Sequence, residues 1–129
     1  MGEPDPKPTR RVRLAPRQYA ALSADIMWTQ GGLCACNCGR RAESIHHVLG
    51  GVDRSDVREN MIGLNGSGST GCHGALTSKQ RVADGKDWIS PVAVACGIRN
   101  HMETVRPDVL IYVRTVKGSD YLERTYPRR

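Results

Sequence analysis

The chain has 129 residues, enough for one domain with a small core, and lacks phenylalanine altogether. Lysine and arginine exceed aspartate and glutamate by six, a balance that suits a polyanionic partner but is also ordinary for solubility. No apolar run is long enough for a signal peptide or a membrane span, so the expectation is a cytosolic protein without a membrane partner, whose five cysteines are reduced and available to bind metal.

The opening residues alternate proline with charge, which predicts a disordered basic tail over residues 1–14. Tyr19, Leu22 and Ile26 then recur at helical spacing after Pro16, and Gly31-Gly32 stops the run. A dense cluster follows, Cys34-Ala35-Cys36-Asn37-Cys38, and after it a short β-compatible segment from Glu43 to Leu49. Gly50 to Glu59 reads as loop and Met61 to Leu64 as a second strand. The glycine-serine stretch Asn65 to Gly71 leads into a helix expected from Cys72 to about Val82. Farther on, Ser90-Pro91 is a cap followed by a first-turn proline, opening a helix to about Met102. Asp108 to Val116, after Pro107, is compatible with helix or strand, and Lys117 to Ser119 with a turn. A core over residues 15–82 and an extension over residues 83–129 packed on it complete the expected organisation.

Two of the four histidines are adjacent, His46 and His47, and a third, His73, opens the helix after the second strand. Asn60 lies between them, just before that strand. Alone, each has a bland explanation: a solvated histidine pair, a helix-terminal residue, a turn asparagine. In this order, the segments Ile45-His46-His47-Val48, Glu59-Asn60-Met61-Ile62-Gly63-Leu64 and Gly71-Cys72-His73-Gly74 resemble the core of the HNH endonucleases, especially those encoded by phages of high-GC bacteria. The resemblance spans roughly residues 33–82. It implies an α+β fold: a small ββα-metal core with a preceding helix and a mainly helical C-terminal extension.

The resemblance also implies an activity, metal-dependent hydrolysis of DNA phosphodiesters by nicking or double-strand cleavage. In that family's arrangement His47 is the general base, Asn60 orients it, and His46 with His73 hold one catalytic divalent ion, which could be magnesium, manganese, nickel or zinc. The chemistry suits these residue types. An imidazole titrating near neutrality can take a proton from water, and a divalent cation can absorb charge gathering on the phosphate. If the gene is carried by a phage, the setting is the host cytoplasm, and phage packaging proteins such as a terminase are candidate partners beside DNA.

Many HNH proteins add two cysteine pairs around a structural zinc. Cys38 and Cys72 match two of those positions, but Ala35 and Asn65 stand where other ligands are usual. Two outcomes follow: a set of Cys34, Cys36, Cys38 and Cys72, or no zinc there. Cys96 is expected to be a buried thiol outside the set. Arg54 and Arg58 in the long loop are candidates to clamp a DNA phosphate, with pairing to Asp53 and Asp56 as the equal alternative. The glycine-serine loop is not a nucleotide cradle, because no lysine with serine or threonine follows its last glycine. The rival function is a non-catalytic zinc module that binds nucleic acid or assists phage packaging.

Overall fold

The computed structural model describes residues 11–128. Residues 1–10, most of the expected tail, lie outside that range. Among the described residues the fold is α+β, with five α-helices and two small antiparallel sheets.

Helix α1 (Pro16–Thr29) starts with proline in its first turn, and the Gln18 side chain accepts from the Ala15 amide in place of a capping hydroxyl. Gly31 and Gly32, both with positive φ, end it. Its buried residue Ile26 faces the first sheet. That sheet pairs β1 (Ser44–His47) with β2 (Met61–Leu64) in the register Ser44 to Leu64 and His47 to Met61. Every residue of β2 is buried, because α1 covers one side of the hairpin and the main core fills the other. Gln30 seals the α1 side: its amide donates to the Gly63 carbonyl at 3.0 Å and accepts from the Gly63 N–H at 2.8 Å. A Cβ at residue 63 would lie 2.6 Å from Met27 Sδ, so any larger residue here would displace that methionine.

Two single 3₁₀ turns, Gly51–Asp53 and Arg58–Asn60, shape the loop between the strands. Helix α2 (Gly71–Ser78) is shorter than the expected run to Val82. Lys79 takes a left-handed conformation at its end, and the chain turns into the hairpin β3 (Val82–Asp84) and β4 (Asp87–Ile89). The long helix α3 (Pro91–Thr104) begins as expected, with Ser90 Oγ accepting from the Ala93 N–H, and reaches two residues beyond Met102. The open choice after Pro107 resolves as helix, α4 (Pro107–Lys117), and Gly118 turns the chain into α5 (Ser119–Thr125).

The extension packs on the ββα unit through one core that joins Ile62, Leu64 and Ala75 to Ile98, Met102, Val109, Val113 and Leu122. Two buried arginines brace it, Arg106 against the unit and Arg99 within the extension. Arg106 donates to the carbonyls of Met61 and Arg58 while pairing with Asp108, and Arg99 donates to the Tyr126 carbonyl while pairing with Glu103 and Glu123. These bonds satisfy guanidinium groups that would otherwise be expensive to bury.

Candidate functional site

Neighbouring residues on a strand point to opposite faces, so β1 sends His46 and His47 apart. His46 meets His73, which opens toward it from the first turn of α2: His46 Nδ1 and His73 Nε2 stand 3.3 Å apart, ring edge to ring face. Ser44 fixes the protonation of His73. Its Oγ lies 2.7 Å from the Gly66 carbonyl and 2.7 Å from His73 Nδ1. A carbonyl can only accept, so the serine proton goes to Gly66 and His73 Nδ1–H donates to Ser44. His73 Nε2 is thereby left as a lone pair aimed at His46.

Burial first, and then the proximity of His73 and His47, push His46 down to about 3. Burial lowers His73 as well, against a smaller opposing effect of Cys34. Both rings are therefore neutral at physiological pH, the form that ligates metal. Two nitrogens 3.3 Å apart, each at the usual 2.0–2.1 Å from a zinc-sized ion, would subtend roughly 105° at it, close to tetrahedral. The pair fits a cation.

His47 faces the other way, is nearly buried, and has its Nε2 2.9 Å from Asp56 Oδ1. A carboxylate only accepts, so Nε2 carries the proton and Nδ1 is the free base. The Tyr19 ring stacks over this imidazole at 6.2 Å between centroids. Burial lowers the pKa of His47, and the Asp56 hydrogen bond only partly offsets that. For Asp56, burial works to raise the pKa, but hydrogen bonds from the Leu14 N–H and from His47, with the nearby Arg54 charge, leave it below the ordinary carboxylate value.

Asn60 is where it was expected but does something else. It is fully buried; its Oδ1 accepts from the Leu49 N–H at 2.8 Å, and its Nδ2 donates to the carbonyls of Leu49 and Ser55, each at 3.1 Å. All of these bonds go to loop backbone, so the expected Asn60–His47 hydrogen bond is corrected. Asn60 holds the loop that carries Asp56, and Asp56 meets the histidine. The segment placed in the tail is corrected too: Val12 and Leu14 are hydrogen-bonded to Ser55 and Asp56.

The loop arginines separate. Arg58 pairs with Asp25 and donates to Thr29 Oγ1 at 2.7 Å, which ties the loop to α1, while Asp53 pairs with Lys117 and Asp56 with His47. Neither arginine pairs with Asp53 or Asp56. Arg54 is exposed, makes no ion pair among the described residues, and is close enough for its charge to act on both His47 and Asp56. Beside the histidines a cleft of about 720 Å³ opens, bordered by His46, His47, Leu76, Lys79, Val92 and Arg124. The extension thus supplies part of its wall.

The four cysteines Cys34, Cys36, Cys38 and Cys72 come together, all sulfurs within 4.8 Å of one another, and could hold a metal ion. Neighbouring Sγ atoms are 3.3, 3.4 and 3.6 Å apart, against about 3.8 Å for the edge of a tetrahedron with Zn–S bonds of about 2.3 Å. Left-handed Asn37 and Gly39 bend the chain so that three near-consecutive cysteines can converge. Asn65, at the position where a ligand was missing, takes part through its backbone, its N–H donating to Cys34 Sγ at 3.2 Å. Without a cation the cluster shares its charge unequally. Hydrogen bonds with Cys36 and Cys72 drive the Cys34 thiol far below its ordinary value, whereas its neighbour Cys34 pushes Cys36 up and Cys72 up to about 12. Four thiolates can coexist there only around a positive ion. Cys96 is buried and stands outside the cluster.

Ser44, Tyr19 and Asp56 were not legible as site residues in the sequence. Asp56 is nine residues beyond its histidine in an irregular loop, and no periodicity marks such a pair. No family model, no curated protein and no solved structure matches the chain. No helix among the described residues is long and apolar enough to cross a membrane.

Proposed function

We propose that the chain is a metal-dependent DNA endonuclease of the HNH type, hydrolysing phosphodiester bonds, with His47 as general base. The observation that carries this reading is the pair of neutral imidazoles, His46 and His73, converging 3.3 Å apart on the opposite side of β1 from a histidine already fixed in its Nε2–H form. His46 and His73 would hold one divalent ion, zinc, nickel, manganese or magnesium. When bound, that ion supplies positive charge to a phosphate oxygen and to the leaving 3′-oxygen.

The chain's own residues do the rest. His47 Nδ1 takes the proton of an attacking water, and Asp56 stabilises the imidazolium that results. Exposed Arg54 contacts a phosphate oxygen beside the scissile group. The basic excess holds the DNA backbone in a salt-dependent manner. Cys34, Cys36, Cys38 and Cys72 hold a structural zinc that fixes β2, α2 and α3 against one another. A non-catalytic zinc module, whether it binds nucleic acid or serves phage packaging, would account for the cysteines and the charge. It would leave the His46–His73 pair and the His47–Asp56 pair without a purpose. Nicking of supercoiled plasmid over a panel of divalent ions tests the proposal: cleavage by the wild-type protein, dependent on the added ion, is the expected result.

A further inference from the structure

Asp56 is held between His47 and one short stretch of chain. Its Oδ1 accepts from His47 Nε2–H at 2.9 Å and its Oδ2 from the Leu14 N–H at 3.0 Å. Its own N–H donates to the Val12 carbonyl at 2.8 Å, and the Val12 N–H donates to Ser55 Oγ at 3.0 Å. Residues 12–14 therefore lie along residues 55–56 much as an added strand would. Immediately after them the chain enters α1, whose Tyr19 covers the His47 ring. The Asn60 side chain does not take the place of Asp56 at that ring, since it is spent on Leu49 and Ser55.

We propose that Asp56 is the positioning residue of His47, and that the segment Val12–Leu14 is the strap that holds Asp56 in place. An acceptor-only carboxylate at Nε2 admits one tautomer and leaves Nδ1 as the only ring nitrogen able to receive a proton. With both carboxylate oxygens occupied by fixed donors, the group cannot swing away or turn its other oxygen to the ring. The strap makes the N-terminal segment part of the site although it touches neither substrate nor metal. The catalytic consequence rests on the nuclease reading; the tautomer and the strap do not.

The experiment uses the full chain, with ¹⁵N imidazole NMR of His47 (assigned by its loss in His47→Gln) beside plasmid-nicking kinetics. Wild-type protein should show a protonated Nε2 and a bare Nδ1. In Asp56→Asn the amide can present its NH₂ to the ring, so the proton should move off Nε2 and kcat should fall roughly 10- to 100-fold, the usual cost of losing an orienting partner. KM for DNA should stay unchanged. Asp56→Glu should recover part of both signals. Ser55→Ala, which keeps the carboxylate and removes the hydroxyl that receives the Val12 N–H, should shift them the same way by a smaller factor and keeps the test valid should Asp56→Asn fail to fold. A wild-type ¹⁵N pattern and wild-type kcat in folded Asp56→Asn, or in Ser55→Ala where Asp56→Asn does not fold, would overturn the proposal while leaving the nuclease reading intact. A chain with no nicking activity whose His47 tautomer still follows Asp56 would sustain the positioning contact and sink the nuclease reading instead.

Discussion

Gly97, midway along α3, lies directly against the carbonyl of Cys36, so close that a methyl group on it would fall well inside van der Waals contact with that oxygen. The cysteine cluster and the C-terminal extension are thereby fitted to each other at a point where neither is free to give: Cys36 is in a tight turn and Gly97 is in a helix interior. Gly97→Ala should raise intrinsic helix propensity yet destabilise the protein, by about 1–3 kcal/mol on the usual scale for overpacking. Thermal unfolding with elemental analysis checks this. A lower melting temperature and a weaker hold on the proposed zinc should appear together; a more stable variant would mean that the two parts are not tightly fitted.

Removing the zinc proposed for the cluster should act on folding before it acts on chemistry. Structural zinc in small domains binds with apparent free energies of about 10–16 kcal/mol, much of it folding free energy. Cys72→Ser, or strong chelation, should loosen β2, α2 and α3 together, because Cys72 lies in the first turn of α2, Ala35 beside Cys34 and Cys36 bonds to Gly63 of β2, and Cys36 lies against Gly97 of α3. Circular dichroism and metal analysis on one sample decide it. A folded, zinc-free protein with an unchanged melting temperature would remove the claim.

His101, near the end of α3, is buried with its Nε2 unpartnered among the described residues. Burial first, and then the Arg106 guanidinium, bring its pKa down to about 4. The unfolded chain takes up that proton near pH 6.5, so the native state binds fewer protons between the two values. The stability due to the neutral ring is complete above about pH 6.5 and is lost as pH falls toward about 4. Denaturant unfolding across that window should show His101→Leu losing less stability than wild type. Parallel curves would contradict the assignment.

Arg54 and Arg58, equal in the sequence, should differ in the test tube. Arg58 is held by Asp25 and Thr29 in a partly exposed ion pair, so Arg58→Ala should cost at most about 1 kcal/mol of stability and leave saturated turnover alone. Arg54 has no such partner among the described residues and stands near the His47–Asp56 pair. Arg54→Ala should therefore lower turnover more than affinity, because its contact strengthens as charge develops on the phosphate. Nicking kinetics at saturating DNA and the salt dependence of binding separate the two roles.

Much of this structure was legible in the sequence wherever one residue type decided the matter. Pro16 and the Gly31-Gly32 pair bounded α1, Ser90-Pro91 opened α3, and β2 came out at Met61–Leu64. The cysteine set, open between four ligands and none, has closed as a cluster because Asn37 and Gly39 allow the turn. The hairpin β3–β4 is missing from the sequence reading, though Asp84-Gly85 between Val82 and Trp88-Ile89 is a hairpin signal; the helix expected to about Val82 overlaps only its first residue, and left-handed Lys79 closes that helix earlier. Asp56, Ser44 and the strap could not be read at all. Their roles depend on which backbone groups and side chains the loop brings within 3 Å, and sequence spacing does not encode that.

The most direct measurement is ion-dependent nicking of supercoiled plasmid by wild type, His47→Ala, His46→Ala and His73→Ala, with metal binding recorded for each. His47→Ala should lose roughly two to four orders of magnitude in turnover, the usual scale for a general base, while still binding the divalent ion proposed at His46 and His73. His46→Ala and His73→Ala should lose both. Wild-type turnover in His47→Ala, or a wild-type protein inert with every divalent ion, would contradict the proposed mechanism.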